Sequence, residues 1–565
     1  MVSPVPAGVI GSTAAFGAVR RGSSPRRGAT GASEAREGRL PALGVRGATG
    51  VMNLSCPVPT RYAASVTRPA LAIVLAAGEG TRMRSSLVKV LHPIAGRPVL
   101  GHVLHSVAHT EPQAVVVVVG HQRERVTEYV TTHQTGALVA VQHEQRGTGH
   151  AVRVCLEQLA DQGHDPTLLV GPVLVLAGDA PLVQGGTLSA LLDHHAANGS
   201  GVTVLSAHLS NPTGYGRILR DASGAVTAIV EHRDATDEQR LITEVNSGTY
   251  VFDAELLRAA LPRITADNTQ GEEYLTDVLG IAWADGLAVS ALAADEPGEI
   301  LGINDRVQLA ECARVMRDRI NLGWMRAGVT IVDPSTTWID VDADLEPDVV
   351  LHPSTILRGP TSVASGAEIG PDTTLISCEV GANATVLRSH CELAVIGEDA
   401  SVGPFSYLRP NARLDADSKA GAFVEIKNSH IGVGAKVPHL SYVGDAEVGE
   451  GTNIGAATVF VNYDGVAKHR TVVGAHVRIG SDTMLVAPVV IGDGAYTAAG
   501  SVITDDVPAG AMAVGRAQQR TIAGWVERKR SGSPAAEAAA RARQDEARVD
   551  PPTATASDQT TSGDT

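Results

Sequence analysis

The chain has 565 residues, which is enough for several domains, and its formal net charge is −15. This acidic balance argues against a general binder of nucleic acid or of an anionic membrane surface, so an anionic substrate would have to be held by specific cations. Aromatic residues make up only 3% of the chain and there are 60 glycines, a composition that suits repetitive β structure with tight turns.

The cysteines indicate neither a disulfide framework nor a cysteine zinc site. They are scattered, odd in number and form no Cys-x-x-Cys pair: Cys56, Cys155, Cys312, Cys378 and Cys391. Because this pattern fits a reducing compartment, we expect a cytoplasmic protein. The sequence has no apolar run of the ~18 residues that a membrane span needs and no apolar signal-peptide core, so we expect neither.

Residues 1–69 are rich in Gly, Ala, Arg, Ser and Pro and show neither a helical nor a strand period, so we expect a disordered extension. Their basic, acid-poor composition also fits a transit peptide. We favour a dispensable extension, with Met52 as an alternative start of the protein.

Residues 75–89 form the first motif, Leu-Ala-Ala-Gly-Glu-Gly-Thr-Arg-Met-Arg-Ser-Ser-Leu-Val-Lys, directly after the apolar run 71–74. Gly78 and Gly80 lack a Cβ, so their backbone N–H groups can approach an anion, and the cations Arg82 and Lys89 can neutralise a polyphosphate. The alternative is an ordinary strand-to-helix turn with two solvated cations. The density of the motif favours a phosphate-binding loop. It is not a P-loop, because no Gly-Lys-Ser/Thr follows.

Between residues 70 and 303, short runs rich in β-branched residues alternate with helical segments. This alternation predicts an α/β, Rossmann-like domain with a mainly parallel sheet. The runs after the first are 114–119, 173–176, 201–206 and 249–252. Ligands of such sheets bind beyond the carboxyl ends of the strands. Asp179 follows one of these runs, where a carboxylate beside phosphates suggests a shared Mg²⁺; the alternative is a turn or N-cap aspartate.

Residues 304–328 predict a connector helix with an apolar stripe at helical spacing. The stripe comprises Val307, Leu309, Ala310, Ala313, Met316, Ile320 and Trp324.

From 329 to 520, aliphatic residues followed by glycine recur in steps of six, which predicts a parallel β-helix of hexapeptide repeats. One series comprises Val473, Ile479, Leu485, Ile491 and Ile503, with Thr497 in the missing step. Two further series are Ile396, Val402 and Leu408, and Val448, Ile454 and Phe460. The phase changes between Leu408 and Ile431 and again between Val443 and Val448, so we expect loops or short corners there. Residues 521–565 contain an Ala/Arg/Glu patch of helical character and are expected to be a disordered tail.

The chain resembles one family closely over roughly residues 71–516, the bacterial bifunctional N-acetylglucosamine-1-phosphate uridylyltransferase and glucosamine-1-phosphate acetyltransferase. In the first part the matching motifs begin at Leu75, Gln142, Gly178, Gly214, Val230 and Glu244. In the second part they begin at Arg409, Phe423, His439, Asn453 and Asn462. The resemblance implies that the β-helix is left-handed and assembles a homotrimer with acetyl-transfer sites between subunits.

Carried over residue by residue, the resemblance implies a uridylyltransferase site in the first domain. Arg82 and Lys89 would be catalytic and face the phosphates of UTP. The nucleotide would be bound by Leu75, Ala76, Ala77, Gly78, Lys89, Gln142, Gly147 and Thr148, and the sugar phosphate by Gly216, Glu231, Asn246 and Asn304. Asp179 and Asn304 would ligate Mg²⁺. Without the resemblance, Asn304 would more simply be an N-cap of the connector helix.

The sequence departs from the family at two positions of this site. Val88 precedes Lys89 where a proline is usual, and Ala177 stands where some members have a tyrosine before Gly-Asp. The first departure predicts a looser placement of Lys89. The second predicts that one contact to the sugar is missing.

In the β-helix, polar residues cluster where the period breaks, and His439 is the natural general base because an unperturbed imidazole accepts a proton at neutral pH. A structural histidine in a loop is the alternative. The resemblance implies that Arg409, Lys427, Tyr442, Asn453 and Lys468 hold the sugar phosphate and that Glu447 orients His439. Acetyl-CoA would be bound by Ala456, Asn462, Tyr463, Ser481, Ala499 and Arg516.

The leading interpretation is an enzyme that acetylates glucosamine-1-phosphate and then uridylylates the product, giving UDP-N-acetylglucosamine for peptidoglycan precursors. Its co-substrates would be UTP and acetyl-CoA, its cofactor Mg²⁺, and we expect no nucleic-acid or membrane partner. A second interpretation keeps the uridylyl transfer but makes the β-helix a scaffold. A third is a non-enzymatic assembly subunit, which the presence of Arg82, Lys89, Asp179 and His439 disfavours.

Overall fold

The computed structural model describes residues 67–549, so almost all of the predicted N-terminal extension lies outside the described residues. The first domain is built on a mixed sheet and a small hairpin. Its strands are β1 (Leu71–Ala76), β2 (Pro93–Ile94), β3 (Arg97–Pro98), β4 (Val115–Val119), β5 (Leu138–Val141), β6 (Pro172–Ala177), β7 (Val202–His208), β8 (Arg217–Arg220), β9 (Val226–Val230), β10 (Glu244–Asp253) and β11 (Val289–Ala293).

The main sheet has the order β11-β7-β10-β6-β1-β4-β5, with β8 and β9 attached beside β10. Strands β1, β4, β5 and β6 run parallel to one another. Strands β7 and β11 also pair in parallel. Only β10 within the seven-strand path of the described domain runs antiparallel to both neighbours. The predicted mainly parallel α/β sheet is therefore confirmed.

Helices cover both faces of this sheet because its central strands are apolar on both sides. Leu71 and Ile73 of β1 pack on one face, and Ala72 and Val74 pack on the other. The helices are α1 (Val99–Ala108), α2 (Arg123–His133), α3 (Thr148–Asp161), α4 (Gly185–Ala197), α5 (Asp237–Arg240), α6 (Ala254–Ala260) and α7 (Asp277–Ala284). Short 3-10 helices occupy Thr81–Met83, Lys89–Leu91, Pro166–Leu168, Leu261–Arg263 and Pro297–Ile300.

The connector is α8 (Arg306–Arg326), which begins after the N-cap Asp305. Its buried side chains include Met316, Ile320 and Trp324, which belong to the same apolar cluster as the first coils of the second domain. Val307, which the predicted stripe included, is 79% exposed because the first turn of the helix projects beyond this cluster.

The second domain is a parallel β-helix whose strands form three faces. Face 1 contains Thr330–Ile331, Val350–Leu351, Glu368–Ile369, Thr385–Val386, Ser401–Val402, Lys419–Ala422, Lys436–His439, Asn453–Ile454, Arg478–Ile479, Tyr496–Thr497 and Met512–Ala513. Face 2 contains Trp338–Ile339, Ile356–Arg358, Thr374–Ile376, His390–Glu392, Tyr407–Leu408, Glu425–Lys427, Tyr442–Gly444, Val459–Val461, Met484–Val486 and Val502–Ile503. Face 3 contains Asp344–Leu345, Ser362–Val363, Glu379–Val380, Val395–Ile396, Arg413–Leu414, His430–Ile431, Ala446–Val448, Thr471–Val473 and Val489–Ile491.

The six-residue period arises because one side chain of each short strand points into the core. All six members of the predicted series are buried, including Thr497 at the missing step. Successive strands of a face pair in parallel register, for example Ile454 with Ile479. The largest insertion is the segment 462–470, which lies between strands of face 2 and face 3.

Residues 521–549 differ from the predicted disordered tail, and the rest of that tail, 550–565, lies outside the described residues. Helices α9 (Trp525–Lys529) and α10 (Pro534–Val549) form within residues 521–549. The reason is local, since the segment from 534 is rich in Ala, Glu and Arg, which have high helix propensity. Across residues 67–549 there is no helix with the length and apolarity needed to cross a bilayer.

Candidate active sites

The glycine-rich loop after β1 lies at the carboxyl edge of the sheet, among residues predicted to bind the nucleotide. The Gly178 N–H donates to Leu75 O at 2.9 Å, and the Gln145 side-chain amide donates to Ala77 O at 2.6 Å. A Cβ at Gly178 would lie 2.8 Å from Leu75 O, so the two turns can approach only without a side chain there. These contacts fix the backbone from Leu75 to Gly78.

Three predicted residues from distant parts of the chain meet beside this loop. The Lys89 ammonium pairs with the Asp179 carboxylate and lies 3.4 Å from Asn304 Oδ1. The Ile303 N–H donates to Asp179 O at 3.0 Å, which brings the start of the connector to the turn after β6. Two hard oxygen donors therefore lie beside one cation.

The N-cap alternative for Asn304 is wrong. The side chain of Asp305 accepts hydrogen bonds from the N–H groups of Val307 and Gln308, so Asp305 caps α8. The Asn304 backbone N–H instead donates to Gln308 Oε1 at 2.7 Å, and its side chain is directed to Lys89. Arg82 is exposed and makes no ion pair within residues 67–549.

The segment predicted to read the uracil surrounds the start of α3. Gln142 is buried, and its amide donates to Gly147 O at 3.1 Å. Gly147 has φ 107°, and a Cβ there would lie 2.4 Å from Glu273 O, so glycine is required. Thr148 Oγ1 accepts a hydrogen bond from the Leu275 N–H at 3.0 Å. These contacts fix the three residues to one another and to residues 273–275.

Glu273 was not identified from the sequence. Its carboxylate pairs with Arg146 and Arg153 at 2.8 Å each, and its backbone oxygen accepts from the Gly149 N–H at 2.8 Å. Glu273 therefore holds the predicted uracil loop against the segment that precedes α7. No local sequence signal links residue 273 to residue 146.

A cavity of about 310 Å³ opens beside this segment, and Gln142 lines it. The other lining residues are Glu79, Gly120, His121, Gln122, Arg123, Glu124, Val141, His143 and Gln145. The cavity places polar and basic side chains next to the glycine-rich loop.

The predicted sugar-phosphate residues are neighbours: Gly216 directly precedes β8, Glu231 directly follows β9, and Asn246 lies on β10. The Asn246 N–H donates to Gly216 O at 2.9 Å, and a Cβ at Gly216 would lie 3.3 Å from Glu231 Oε1. Burial, and secondarily the charge of Asp234, raises the pKa of the Glu231 carboxyl. The Asn246 amide donates to the Tyr250 hydroxyl at 2.7 Å, which holds its orientation.

On the β-helix, the residues predicted to hold a second sugar phosphate form a basic group on face 2 and in the inserted segment. Lys427 lies on face 2, and Lys468 lies in the segment 462–470. The proximity of Lys427 lowers the pKa of the Lys468 ammonium, so the two cations face the same space. Arg409 pairs with Glu425 at 2.8 Å. The ammonium groups of Lys427 and Lys468 together are suited to binding an anion.

Asp445, to which the sequence interpretation gave no role, organises this group. Its carboxylate accepts hydrogen bonds from Asn428 at 2.6 Å and from Asn462 at 2.5 Å. Burial acts to raise the pKa of Asp445, but these hydrogen bonds and the nearby lysine charges hold it below its usual value. The Asn462 amide also lies 3.3 Å from the Tyr442 hydroxyl. Asn462 and Tyr442 are thereby brought together.

His439 ends a strand of face 1 and is exposed. Its backbone oxygen accepts from the Ser441 hydroxyl at 2.7 Å and from the Ala457 N–H at 3.2 Å, which fixes the backbone of the turn. No hydrogen bond or ion pair of its imidazole is found within residues 67–549, so the ring is open to a substrate.

The prediction that Glu447 orients His439 is wrong for the described chain. Glu447 lies on face 3, where its carboxylate contacts His430 Nδ1 at 2.5 Å and pairs with Arg470. His439 ends a face 1 strand of the same coil, so the two residues lie on different faces of the β-helix.

Asn453 also lies apart from the other sugar-phosphate residues, on face 1 between Lys436 and Arg478 of the adjacent coils. A cavity of about 250 Å³ is lined there by Lys436, Asn453 and Arg478 together with Gly434, Gly451 and Thr452. Within one chain, the predicted ligands of the sugar phosphate are therefore divided between faces 1 and 2.

The predicted acetyl-CoA residues Ala456, Ser481 and Ala499 lie at the same corner of successive coils. A Cβ at Gly455 would lie 2.5 Å from Ser481 N, and a Cβ at Gly480 would lie 2.5 Å from Ala499 N. Small residues are therefore required for the coils to stack at this corner. The Gly500 N–H donates to Ser481 O at 2.9 Å, and a Cβ at Gly500 would lie 3.7 Å from the Arg516 side chain. Tyr463 is exposed in the inserted segment, where its hydroxyl donates to Gly465 O at 2.7 Å.

Comparison with known proteins finds matches to both domains. Residues 71–341 match the nucleotidyl transferase family model, and residues 470–505 match the bacterial transferase hexapeptide model of six repeats. A bifunctional protein GlmU of Streptomyces avermitilis is 56% identical over 476 residues, covering 84% of this chain and 98% of the relative. The protein of the same name from Kineococcus radiotolerans is 57% identical over 474 residues, covering 84% and 95%.

The fold and the two polar clusters define a two-domain transferase in which a nucleotidyltransferase sheet is joined to a left-handed hexapeptide β-helix. The chain belongs to the family of bifunctional GlmU proteins. The resemblance drawn from the sequence is thereby confirmed, and the chain is an enzyme with uridylyltransferase and acetyltransferase activity in the synthesis of UDP-N-acetylglucosamine.

Proposed function

We propose that this chain acetylates glucosamine-1-phosphate with acetyl-CoA and then transfers UMP from UTP to the N-acetylglucosamine-1-phosphate formed, at two separate sites built from the residues described above. The observation that carries the proposal is the meeting of Lys89, Asp179 and Asn304 at the sheet edge together with a second, independent cluster around Lys427, Asn462 and Lys468. The products, UDP-N-acetylglucosamine and pyrophosphate, serve peptidoglycan precursor synthesis.

In the first domain, a phosphate oxygen of N-acetylglucosamine-1-phosphate attacks the α-phosphorus of UTP in line with the departing pyrophosphate. The P–O bond to the sugar phosphate forms as the bond to pyrophosphate breaks. The attacking group is already an anion, so little proton transfer is needed, and the barrier falls through positioning and charge neutralisation. Arg82 and Lys89 supply positive charge, and Gly216, Glu231 and Asn246 hold the sugar.

The nucleotidyltransferase family implies a divalent cation, and we propose that it is Mg²⁺. The residues present fit it: the Asp179 carboxylate and Asn304 Oδ1 are hard oxygen donors, and the Lys89 ammonium already lies between them as a positive charge. No cluster of three or more His, Cys, Asp or Glu residues suited to a metal is found in residues 67–549, so most ligands would be phosphates and water. When bound, Mg²⁺ neutralises charge on the phosphates.

In the β-helix, the amine of glucosamine-1-phosphate attacks the thioester carbonyl of acetyl-CoA. The N–C bond forms, the C–S bond breaks, and His439 takes the proton from the nitrogen and returns it to the departing thiolate. Lys427 and Lys468 face the phosphate, with Arg409 and Tyr442 beside them. The small residues at 456 and 499 leave a groove at the coil corner for the pantetheine.

We propose a homotrimer, and two observations support it. Phe405, Phe423 and Leu440 form an exposed apolar ridge along one corner of the β-helix, with the two phenyl rings stacked at 5.2 Å. Monomeric proteins rarely expose such patches, and Leu440 directly follows His439. Asn453 lies on a different face from Tyr442, so a neighbouring subunit would complete the sugar-phosphate site.

A cytoplasmic location is proposed from the cysteine chemistry. Cys155, Cys312, Cys378 and Cys391 are free and buried. This state fits a reducing compartment.

One assay distinguishes this proposal from the alternative. In the alternative, the protein carries out uridylyl transfer and the β-helix serves only as a scaffold. Purified protein is supplied with glucosamine-1-phosphate, acetyl-CoA, UTP and Mg²⁺, and free CoA and pyrophosphate are followed separately. We expect both products, and we expect His439→Ala to abolish CoA release while pyrophosphate still forms from ready-made N-acetylglucosamine-1-phosphate. Pyrophosphate without any CoA from the native protein would support the scaffold.

A further inference from the structure

A continuous array of charged side chains crosses three coils of face 3 and ends in the inserted segment. His430 Nε2 lies 2.6 Å from Asp415 Oδ2, and His430 Nδ1 lies 2.5 Å from Glu447 Oε1. The second oxygen of Glu447 accepts from the Arg470 guanidinium. His430 and Glu447 are register partners on adjacent strands, so the array follows the stacking of the β-helix.

The array requires a particular protonation state of His430. Both ring nitrogens face a carboxylate oxygen, and a neutral imidazole has only one N–H, so only the imidazolium donates to both. Burial lowers the pKa of His430, but the hydrogen bonds and charges of Asp415 and Glu447 outweigh burial and raise it. The other charged groups along the array are Arg413, which pairs with Asp415 at 3.1 Å, and Arg470.

The segment that Arg470 closes carries three of the residues assigned to acetyl transfer. Residues 462–470 include Asn462, Tyr463 and Lys468, and Tyr463 forms an antiparallel bridge with Lys468. One end of the segment is held by the hydrogen bond of Asn462 to Asp445. The other end is held by the pair of Arg470 with Glu447.

The Arg470 side chain is 63% exposed, and an exposed ion pair contributes little unless its partner is already held in place. His430 holds Glu447 in place, since it occupies one carboxylate oxygen and leaves the other directed to Arg470. The orientation of Glu447 therefore depends on a histidine one coil further from the inserted segment than Glu447 itself.

We propose that His430 is a positioning residue of the acetyl-transfer site, which as an imidazolium holds Glu447 against Arg470 and thereby fixes the segment 462–470 over the bound substrates. This role rests on the acetyl transfer proposed above. It gives His430 and Glu447 a function through the loop and not through His439.

The role has a defined pH dependence. Because the folded protein raises the pKa of His430, its contribution is complete below the ordinary histidine pKa and is lost as the pH rises through the raised value. Loss of one N–H frees one carboxylate, the segment loosens, and the KM values for glucosamine-1-phosphate and acetyl-CoA rise. The value of kcat changes less, because the reacting groups themselves are unaltered.

The test compares native protein, His430→Gln, and the matched control His476→Gln, whose histidine lies exposed beside Glu450 at 3.7 Å. CoA release is measured from pH 6 to pH 9, with pyrophosphate release from ready-made N-acetylglucosamine-1-phosphate as a check of folding. We expect His430→Gln to raise the KM values roughly threefold to tenfold at pH 6.5 and to remove their pH dependence. His430→Lys, which restores a cation, should recover part of the loss, and His476→Gln should match the native protein.

A double-variant cycle and hydrogen exchange complete the test. His430→Gln should add little to Arg470→Gln, because both break the same array, and the amides of 462–471 should exchange faster in His430→Gln than in the native protein. Unchanged KM values, or fully additive effects of the two substitutions, would overturn the proposal. If the native protein releases no CoA, the proposed acetyl transfer is wrong and so is a positioning role of His430 in it. Hydrogen exchange still reports, independently of activity, whether His430 anchors the segment.

Discussion

The ammonium group of Lys89 lies against the carboxylate of Asp179, although the two residues belong to different turns at the edge of the sheet. Both side chains are largely buried, at 11% and 24% exposure. The pair places a positive charge where the phosphates of a nucleotide would meet the end of β6, with Asn304 on its other side. Under the proposed mechanism, Asp179 therefore holds Lys89 in position before UTP binds.

Replacement of Lys89 should therefore affect turnover more than folding. We expect Lys89→Ala to lower kcat for uridylyl transfer roughly 100-fold or more, because it removes a preorganised charge from the transition state. CoA release and the thermal midpoint should change little. Pyrophosphate release and differential scanning calorimetry measure the two effects, and Lys419→Ala, a lysine on face 1 of the β-helix, is the control. An equal loss of both activities would point instead to unfolding.

The metal dependence should follow Asp179. Asp179→Ala should raise the Mg²⁺ concentration for half-maximal uridylyl transfer at least tenfold, because one of two protein ligands is removed. A Mg²⁺ titration of pyrophosphate release measures this shift. Chelation with EDTA should stop uridylyl transfer and leave CoA release intact, and a native-like Mg²⁺ curve for Asp179→Ala would contradict the assignment.

Asn304 and Asp305 offer a matched pair, since adjacent residues have separate roles. Asp305→Ala removes the N-cap of α8 and should lower the free energy of unfolding by about 1 kcal/mol, with little change in the Mg²⁺ dependence. Asn304→Ala should raise the Mg²⁺ concentration for half-maximal uridylyl transfer and change the free energy of unfolding little. Urea unfolding and the Mg²⁺ titration distinguish the two outcomes, and the same loss of stability in both variants would show that Asn304 also supports the helix.

Glu231 should show a conflict between stability and function. Its folded-state pKa is raised, chiefly by burial, so the carboxylate opposes folding more and more as the pH rises from the ordinary glutamate pKa through the raised value. Glu231→Gln should therefore be more stable than the native protein at pH 7 and about equal to it at pH 4. We expect the same change to raise KM for N-acetylglucosamine-1-phosphate about tenfold, and Glu238→Gln on the exposed α5 is the control.

The apolar ridge should determine assembly. Phe423→Ser should shift the protein from trimer towards monomer in sedimentation velocity, because it removes one of two stacked rings from the proposed interface. CoA release should fall with the trimer, whereas pyrophosphate release should persist. An intact trimer in the Phe423→Ser variant would show that another surface forms the interface; Val466→Ser, in the exposed inserted segment, is the control.

Much of the fold follows from local patterns. The hexapeptide period predicts the β-helix because each short strand must bury one side chain per coil, and the burial of Ile479, Leu485 and Ile491 confirms it. The α/β domain follows from apolar runs such as that of β1, which are buried on both faces. Residues 534–549 were expected to be disordered despite their Ala/Arg/Glu patch of helical character, because composition alone does not decide whether such a polar segment forms a helix such as α10.

The sequence by itself determined the glycine-rich turn after β1, with Arg82 and Lys89 close behind it, because glycines that directly follow an apolar run mark the end of a strand. Only the tertiary structure decided which distant groups act together. It joined Asn304 to Lys89 and left the helix cap to Asp305, and it separated Glu447 from His439 and paired it with His430 and Arg470. These choices depend on strand register and coil stacking, which bring residues far apart in sequence within hydrogen-bond distance and leave no trace in local spacing.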